Sequence, residues 1–166
     1  MNGIAVSDEP TGYNSEISTR RQAGKIGSVS GLWPAIIELD GSYEAERYLI
    51  KIDGVPIRLT GKSFKYLAKL ACARLNSACP AGKNDGWIYK DNIEIGFNQA
   101  RYLYRLKQEI NGQGRDDWSV FENNRLGHYR LDLKPSQIRF NLDNLRSNPD
   151  YELQQIAERL TPRLIS

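Results

Sequence analysis

Between residues 60 and 75 the apolar positions Phe64, Leu67, Ala68, Ala71 and Leu75 recur at intervals of three and four, with lysines and small polar residues between them. That is the period of a helix with one buried face, and Thr60 supplies a residue able to cap its start. The preceding stretch has a different rhythm. "AIIELD", "RYLIKID" and "VPIRLT" are short, rich in β-branched and aromatic residues, and separated by "DGS" and "DG". They predict an antiparallel sheet, with the Asp53-Gly54 pair as its sharpest turn signal.

After the helix, "NSACPAGKNDG" reads as a loop and "WIYKDNIEIG" as a short strand followed by a short helix. A second amphipathic pattern then appears in "NQARYLYRLKQEI". Phe97, Ala100, Leu103, Leu106 and Ile110 fall on one helical face, and Asn98, Arg101, Tyr102 and Arg105 fall on the other. Tyr104, beside Leu103, is expected to be partly buried and Tyr102 exposed. The glycines of "NGQG" at 111–114 end the helix. "WSVFE" and "HYRLDL" flank "NNRLG" as a β-hairpin with Arg125 at its tip. Near the C-terminus, Leu153, Ile156, Ala157 and Leu160 form a stripe after Pro149-Asp150, which predicts a terminal helix. The first 31 residues show no periodicity and are expected to be a disordered tail whose Arg20, Arg21 and Lys25 could touch phosphate.

Composition adds bounds. At 166 residues the chain holds one ordinary domain with extensions, and 40% apolar with 26% charged residues is the balance of a globular protein. "LWPAII" is too short to span a bilayer and the N-terminus lacks the layout of a secretory signal, so a cytoplasmic protein without membrane partners is expected. Cys72 is expected in a reduced helix core, and neither it nor Cys79 has the spacing of a metal site. His128, the single histidine, is expected to be a strand residue. With no nucleophile, base or ligand constellation, neither enzymatic activity nor a cofactor is expected. The net charge of +3 suits nucleic acid without deciding for it.

Sheet, helix, loop, short helix, helix and hairpin succeed one another as in a winged helix. "VPIRLTGKSFKYLAKLA", "ARYLYRLKQEI" and "GHYRL" resemble, in this order, the DNA-binding domain of OmpR-like response regulators. The matching residues are Leu59 and Thr60 with Phe64, Leu67 and Leu70, then Arg105, Leu106 and Lys107, then Gly127, Tyr129, Arg130 and Leu131. The resemblance covers about residues 35 to 133. It implies an α+β fold: a winged helix with an N-terminal antiparallel sheet, a three-helix core and a C-terminal β-hairpin wing. The domain would occupy 32–134, followed by a helical extension at 135–166. Its recognition helix, about 97–111, would enter the major groove, and its wing, about 118–133, would lie on the adjacent minor groove through Asn123, Asn124 and Arg125.

The chain departs from the family's pattern in three places. Only the N-terminal tail precedes the module, short of the roughly 50 residues of a small domain, so no phosphorylated receiver domain is expected. "WIYKDNIEIG" lacks the usual Ser or Thr cap, and His128 is inserted between Gly127 and Tyr129. "IRFNLDNL" resembles the strand and helix that lead to an activation domain in larger regulators; without that domain the tail is expected to pack on the core or take a simpler role.

In this reading Lys62, Lys65 and Arg74 neutralise phosphates, which positions a protein on DNA without specifying sequence. Asn98, Arg101, Tyr102 and Arg105 face the bases, where arginine reads guanine and asparagine adenine. Asp116, Asp117 and Glu122, close in sequence to this surface, would repel phosphate if they faced it. The expected partner is double-stranded DNA, bound by a transcription regulator. A homodimer or another protein could use the stripe of Leu153, Ile156 and Leu160. Since winged helices also serve as protein-interaction modules, a subunit of a larger complex is the alternative.

Overall fold

A computed structural model describes residues 34–76, 85–116 and 118–164. The expectations for the N-terminal tail, for order beginning near Trp33, for Cys79 and for Asp117 lie outside the described residues.

The architecture is α+β, and the described residues form two sheets and five α-helices around one core. Strands β1 (Ile37–Glu44), β2 (Arg47–Ile52) and β3 (Val55–Thr60) form an antiparallel meander. Its inner face carries Ile37, Leu39, Tyr48, Ile50, Ile52, Ile57 and Leu59, which alternate with more exposed residues as a one-sided sheet requires. Asp53 and Gly54 both take positive φ, 51° and 81°, the mirror-image turn that suits the twist of a two-residue hairpin.

The "DGS" segment is not a turn. β1 runs through it, and its pairing with β2 shifts register between Leu39 and Tyr43. Gly41, at φ 74°, makes a bulge there, and a Cβ on it would lie 2.5 Å from Leu145 Cδ1. The chain reverses instead at Ala45 and Glu46, which hold φ of 50° and 61° without the residues that usually allow it.

Helix α1 (Gly61–Asn76) comes directly after β3 and is the hub of the molecule, buried against the sheet on one side and against later helices on the others. Phe64, Leu67, Ala68 and Ala71 are fully buried and Cys72 nearly so, as their spacing predicts. Then come β4 (Ile88–Tyr89), the one-turn helix α2 (Lys90–Ile93), and α3 (Gln99–Asn111), which stops at Gly112. Strands β5 (Phe121–Asn123) and β6 (His128–Leu131) make the expected hairpin, and β4 pairs with β6 to complete a three-stranded sheet.

The segment after the hairpin is integral to the fold. A 3-10 turn (Pro135–Gln137) leads into β7 (Ile138–Phe140), which pairs in parallel with β1 and gives the first sheet the order β3-β2-β1-β7. α4 (Leu142–Arg146) and α5 (Tyr151–Leu164) then pack on β1, on α1 and on each other. The expectation that the tail packs on the core holds. The stripe named as an association surface is not free to be one: Leu153, Ile156, Ala157 and Leu160 are between 0% and 4% exposed, because the chain's own helices already cover it.

Candidate nucleic-acid interface

Helix α3 buries Gln99, Leu103, Leu106 and Ile110 and turns Ala100, Arg101, Tyr104, Arg105 and Gln108 outward. Two expectations are corrected here. Phe97 and Ala100 are not on the buried face, and Phe97 is fully exposed: each step of three residues back from Leu103 falls about 60° short of a full helical turn, which carries Ala100, inside α3, to the edge of the face and Phe97, ahead of the cap at Asn98, past it. The two tyrosines also exchange roles. Tyr104 is 63% exposed, whereas Tyr102 is half-buried, its ring edge-on to Tyr66 at 5.8 Å and beneath Lys62 Nζ at 4.8 Å.

The turn between α2 and α3 is fastened from inside. The buried Gln99 amide donates to Glu94 O at 2.7 Å and to Gly96 O at 2.5 Å. Glu94 itself receives Lys62 and the Tyr66 hydroxyl from α1. Those hydrogen bonds, Lys62's first, hold its carboxyl below the usual range; burial and then the Glu94 carboxylate push the Tyr66 phenol up. At the far end of α3, Glu109 accepts the Thr60 N–H at 2.8 Å, the Thr60 hydroxyl at 2.8 Å and the Ser63 hydroxyl at 2.9 Å. Both ends of the helix are thus tied to α1 and its entrance.

Electrostatics separates the predicted contact residues into two groups. Lys62 is bound to Glu94, Lys65 lies 3.0 Å from both Asp150 and Glu152, and Arg74 holds Asp85 and the Leu133 carbonyl. Although burial opposes it, the pairing with Asp150 and Glu152 raises the Lys65 pKa, and Lys69, then Lys65, lowers that of Glu152. These α1 cations are engaged by the protein itself. Among the described residues Lys90, Arg101, Arg105, Lys107 and Arg125 make no ion pair, and all lie on α2, α3 or the hairpin tip. The others without one, Lys134, Arg139 and Arg159, are dispersed over the 3-10 turn, β7 and α5.

At the hairpin tip, Asn123 Oδ1 accepts the Arg125 N–H at 2.7 Å, and Asn124 Oδ1 accepts the N–H groups of Leu126 and His128 at 2.8 and 3.1 Å. Both asparagines build the turn through their Oδ1 atoms, at φ 63° for Arg125, and Asn123, Asn124, Arg125 and Leu126 are all exposed at the tip. Lys90 N–H donates to Gly127 O at 2.9 Å, so the tip adjoins the start of α2. Glu122, expected to oppose phosphate, is bonded by Arg130 at 2.7 Å. That arginine also holds Asp85 and lies 4.7 Å from the Trp87 ring centre.

Comparison with protein-family models, curated proteins and solved structures gives no match. Among the described residues, no group of three or more His, Cys, Asp or Glu side chains is placed to hold a metal ion, and no helix is long and apolar enough to cross a membrane.

Asn98 is a further free group. It occupies the N-cap of α3, yet its side chain makes no capping hydrogen bond, whereas Asn141 at the start of α4 accepts from Asn144 N–H at 3.3 Å. Asn141→Ala is therefore expected to cost about 1 kcal/mol of stability, while Asn98→Ala leaves stability within a few tenths. Thermal unfolding of the two variants checks this; equal losses would show that Asn98 caps its helix in solution.

Proposed function

We propose that this protein is a winged-helix transcription regulator that binds duplex DNA without catalysing a reaction, with α3 in the major groove and the β5–β6 hairpin as the wing on the adjacent minor groove. The observation that carries this reading is the unpaired charge: Arg101 and Arg105 stand on the outer face of α3 with no carboxylate partner among the described residues, while the lysines of α1 are neutralised by the protein's own acids. An arginine held free on a helix anchored at both ends is preorganised for phosphate or for a guanine edge. The α+β element order and the order of the three sequence motifs support the same reading.

Anisotropy of a mixed-sequence duplex titrated at several salt concentrations tests it. Four or five neutralised phosphates correspond to a slope of log K against log salt of about −4. Absence of binding at about 50 mM salt, where non-specific contacts are strong, would remove the proposal. A second reading, a module that docks on another protein, is favoured by one feature, the exposed apolar groups Ile95, Phe97 and Tyr104 beside the arginines.

A further inference from the structure

Phe97 is completely exposed and Ile95 is 91% exposed, on either side of Gly96. A hydrophobic residue just before an N-cap commonly packs against the fourth residue of the helix, which here is Tyr102. Tyr102 is instead committed to Tyr66 and Lys62, so the Phe97 ring has no role in holding the fold together. Nor is the segment loose. Gln99 and Glu94 fasten the turn, and Gly96, at φ 147°, holds a backbone conformation that side chains rarely allow. A large apolar ring is thus held in solvent on a fixed support.

Its neighbours indicate what it meets. Asn98, with its amide unused, Ala100 and Arg101 are all exposed at the same end of α3. In the major groove an A·T pair offers adenine N6 and N7 to an asparagine and the thymine 5-methyl group to an apolar side chain such as Phe or Ala. The unpaired arginines nearby complement the charge of the same duplex.

Resting on the DNA-binding reading above, we infer that Phe97 is a specificity-determining residue whose ring packs against thymine 5-methyl groups in the major groove, beside adenines contacted by Asn98. The N-terminal end of α3 then selects A·T pairs, and Arg101 and Arg105 contact the adjoining base pairs or their phosphates.

The test uses a randomised duplex pool enriched on the full-length wild-type protein and then resynthesised with deoxyuridine in place of thymidine, which removes only the methyl groups. Wild type is expected to bind the uracil form about fourfold more weakly for each methyl group it buries. Phe97→Ala should bind the two forms equally, with its salt slope unchanged and its circular dichroism that of wild type. Equal binding of both forms by wild type, or discrimination that survives in Phe97→Ala, would overturn the inference while leaving DNA binding intact. Failure of wild type to bind any duplex would overturn both.

Discussion

Arg101→Ala/Arg105→Ala is expected to weaken duplex binding on the order of 100-fold, taking a loss near the lower end of the roughly 1–3 kcal/mol that a well-placed arginine contributes for each of the two. Both side chains are exposed and, among the described residues, unpaired, so their removal leaves no buried charge behind and folding stability should move by less than about 0.5 kcal/mol. The loss in affinity is then attributable to the interface alone. Anisotropy at one salt concentration measures the size of the effect, and a salt series separates its kinds. A slope reduced by about 2 assigns both arginines to phosphates, whereas an unchanged slope with relaxed sequence preference assigns them to base edges. Lys65→Ala is the matched control, because its charge is already taken up by Asp150 and Glu152, and its effect on binding should be small. A double-arginine variant that binds within about threefold of wild type, far short of the loss two arginines should cause, would move the interface away from α3.

The second large effect concerns what holds that helix in place. Glu109→Ala is expected to lower stability by about 3 kcal/mol, since it strips a carboxylate that accepts three hydrogen bonds and leaves the Thr60 amide and the fully buried Ser63 short of partners. Chemical denaturation measures this directly, with Gln108→Ala, exposed on the same helix, as the variant expected to stay near wild type. Glu109 joins the end of β3 and the start of α1 to the last turns of α3, so the surviving folded fraction should also bind DNA more weakly than its stability alone explains. A loss below about 1 kcal/mol would mean that water replaces the carboxylate at little cost.

The elements themselves are largely legible in the sequence. Buried positions at helical spacing locate α1 and most of α3, the Asp53-Gly54 pair locates its hairpin, and "NNRLG" locates the tip between β5 and β6. What escapes depends on non-local geometry. "DGS" has the composition of a turn, but glycine also serves a bulge, and only the packing of Leu145 against Gly41 shows which is required. β7 and α4 fall where "IRFNLDNL" resembles a strand and a helix, but nothing local in three residues says that the strand pairs in parallel with β1. The stripe of α5 announces an apolar face without saying what covers it.

The candidate site divides in the same way. Periodicity places Arg101 and Arg105, whereas the capture of Lys62 and Lys65 by carboxylates 32 and as many as 87 residues away leaves no local trace. A repeat of three also puts Phe97 on the wrong side, because it falls short of the 3.6-residue turn and drifts off the buried face, and Tyr104 faces solvent although its neighbour Leu103 is buried. Gln99, which secures the turn, can be suspected only from its place in line with Leu103 and Leu106.

The parallel pairing of β7 with β1 places Ile138 beside Ile37, about a hundred residues apart in the chain. Every element of the proposed DNA-binding surface lies inside the loop that this pair closes. Closing so long a loop costs entropy before the pairing returns anything, and such contacts slow folding. The meander, α1 and the hairpin draw on nearer neighbours and can assemble first, with β7 closing over a body that has already taken shape. On a ribosome, the segment that forms the surface emerges and can organise before the strand that seals it has been made.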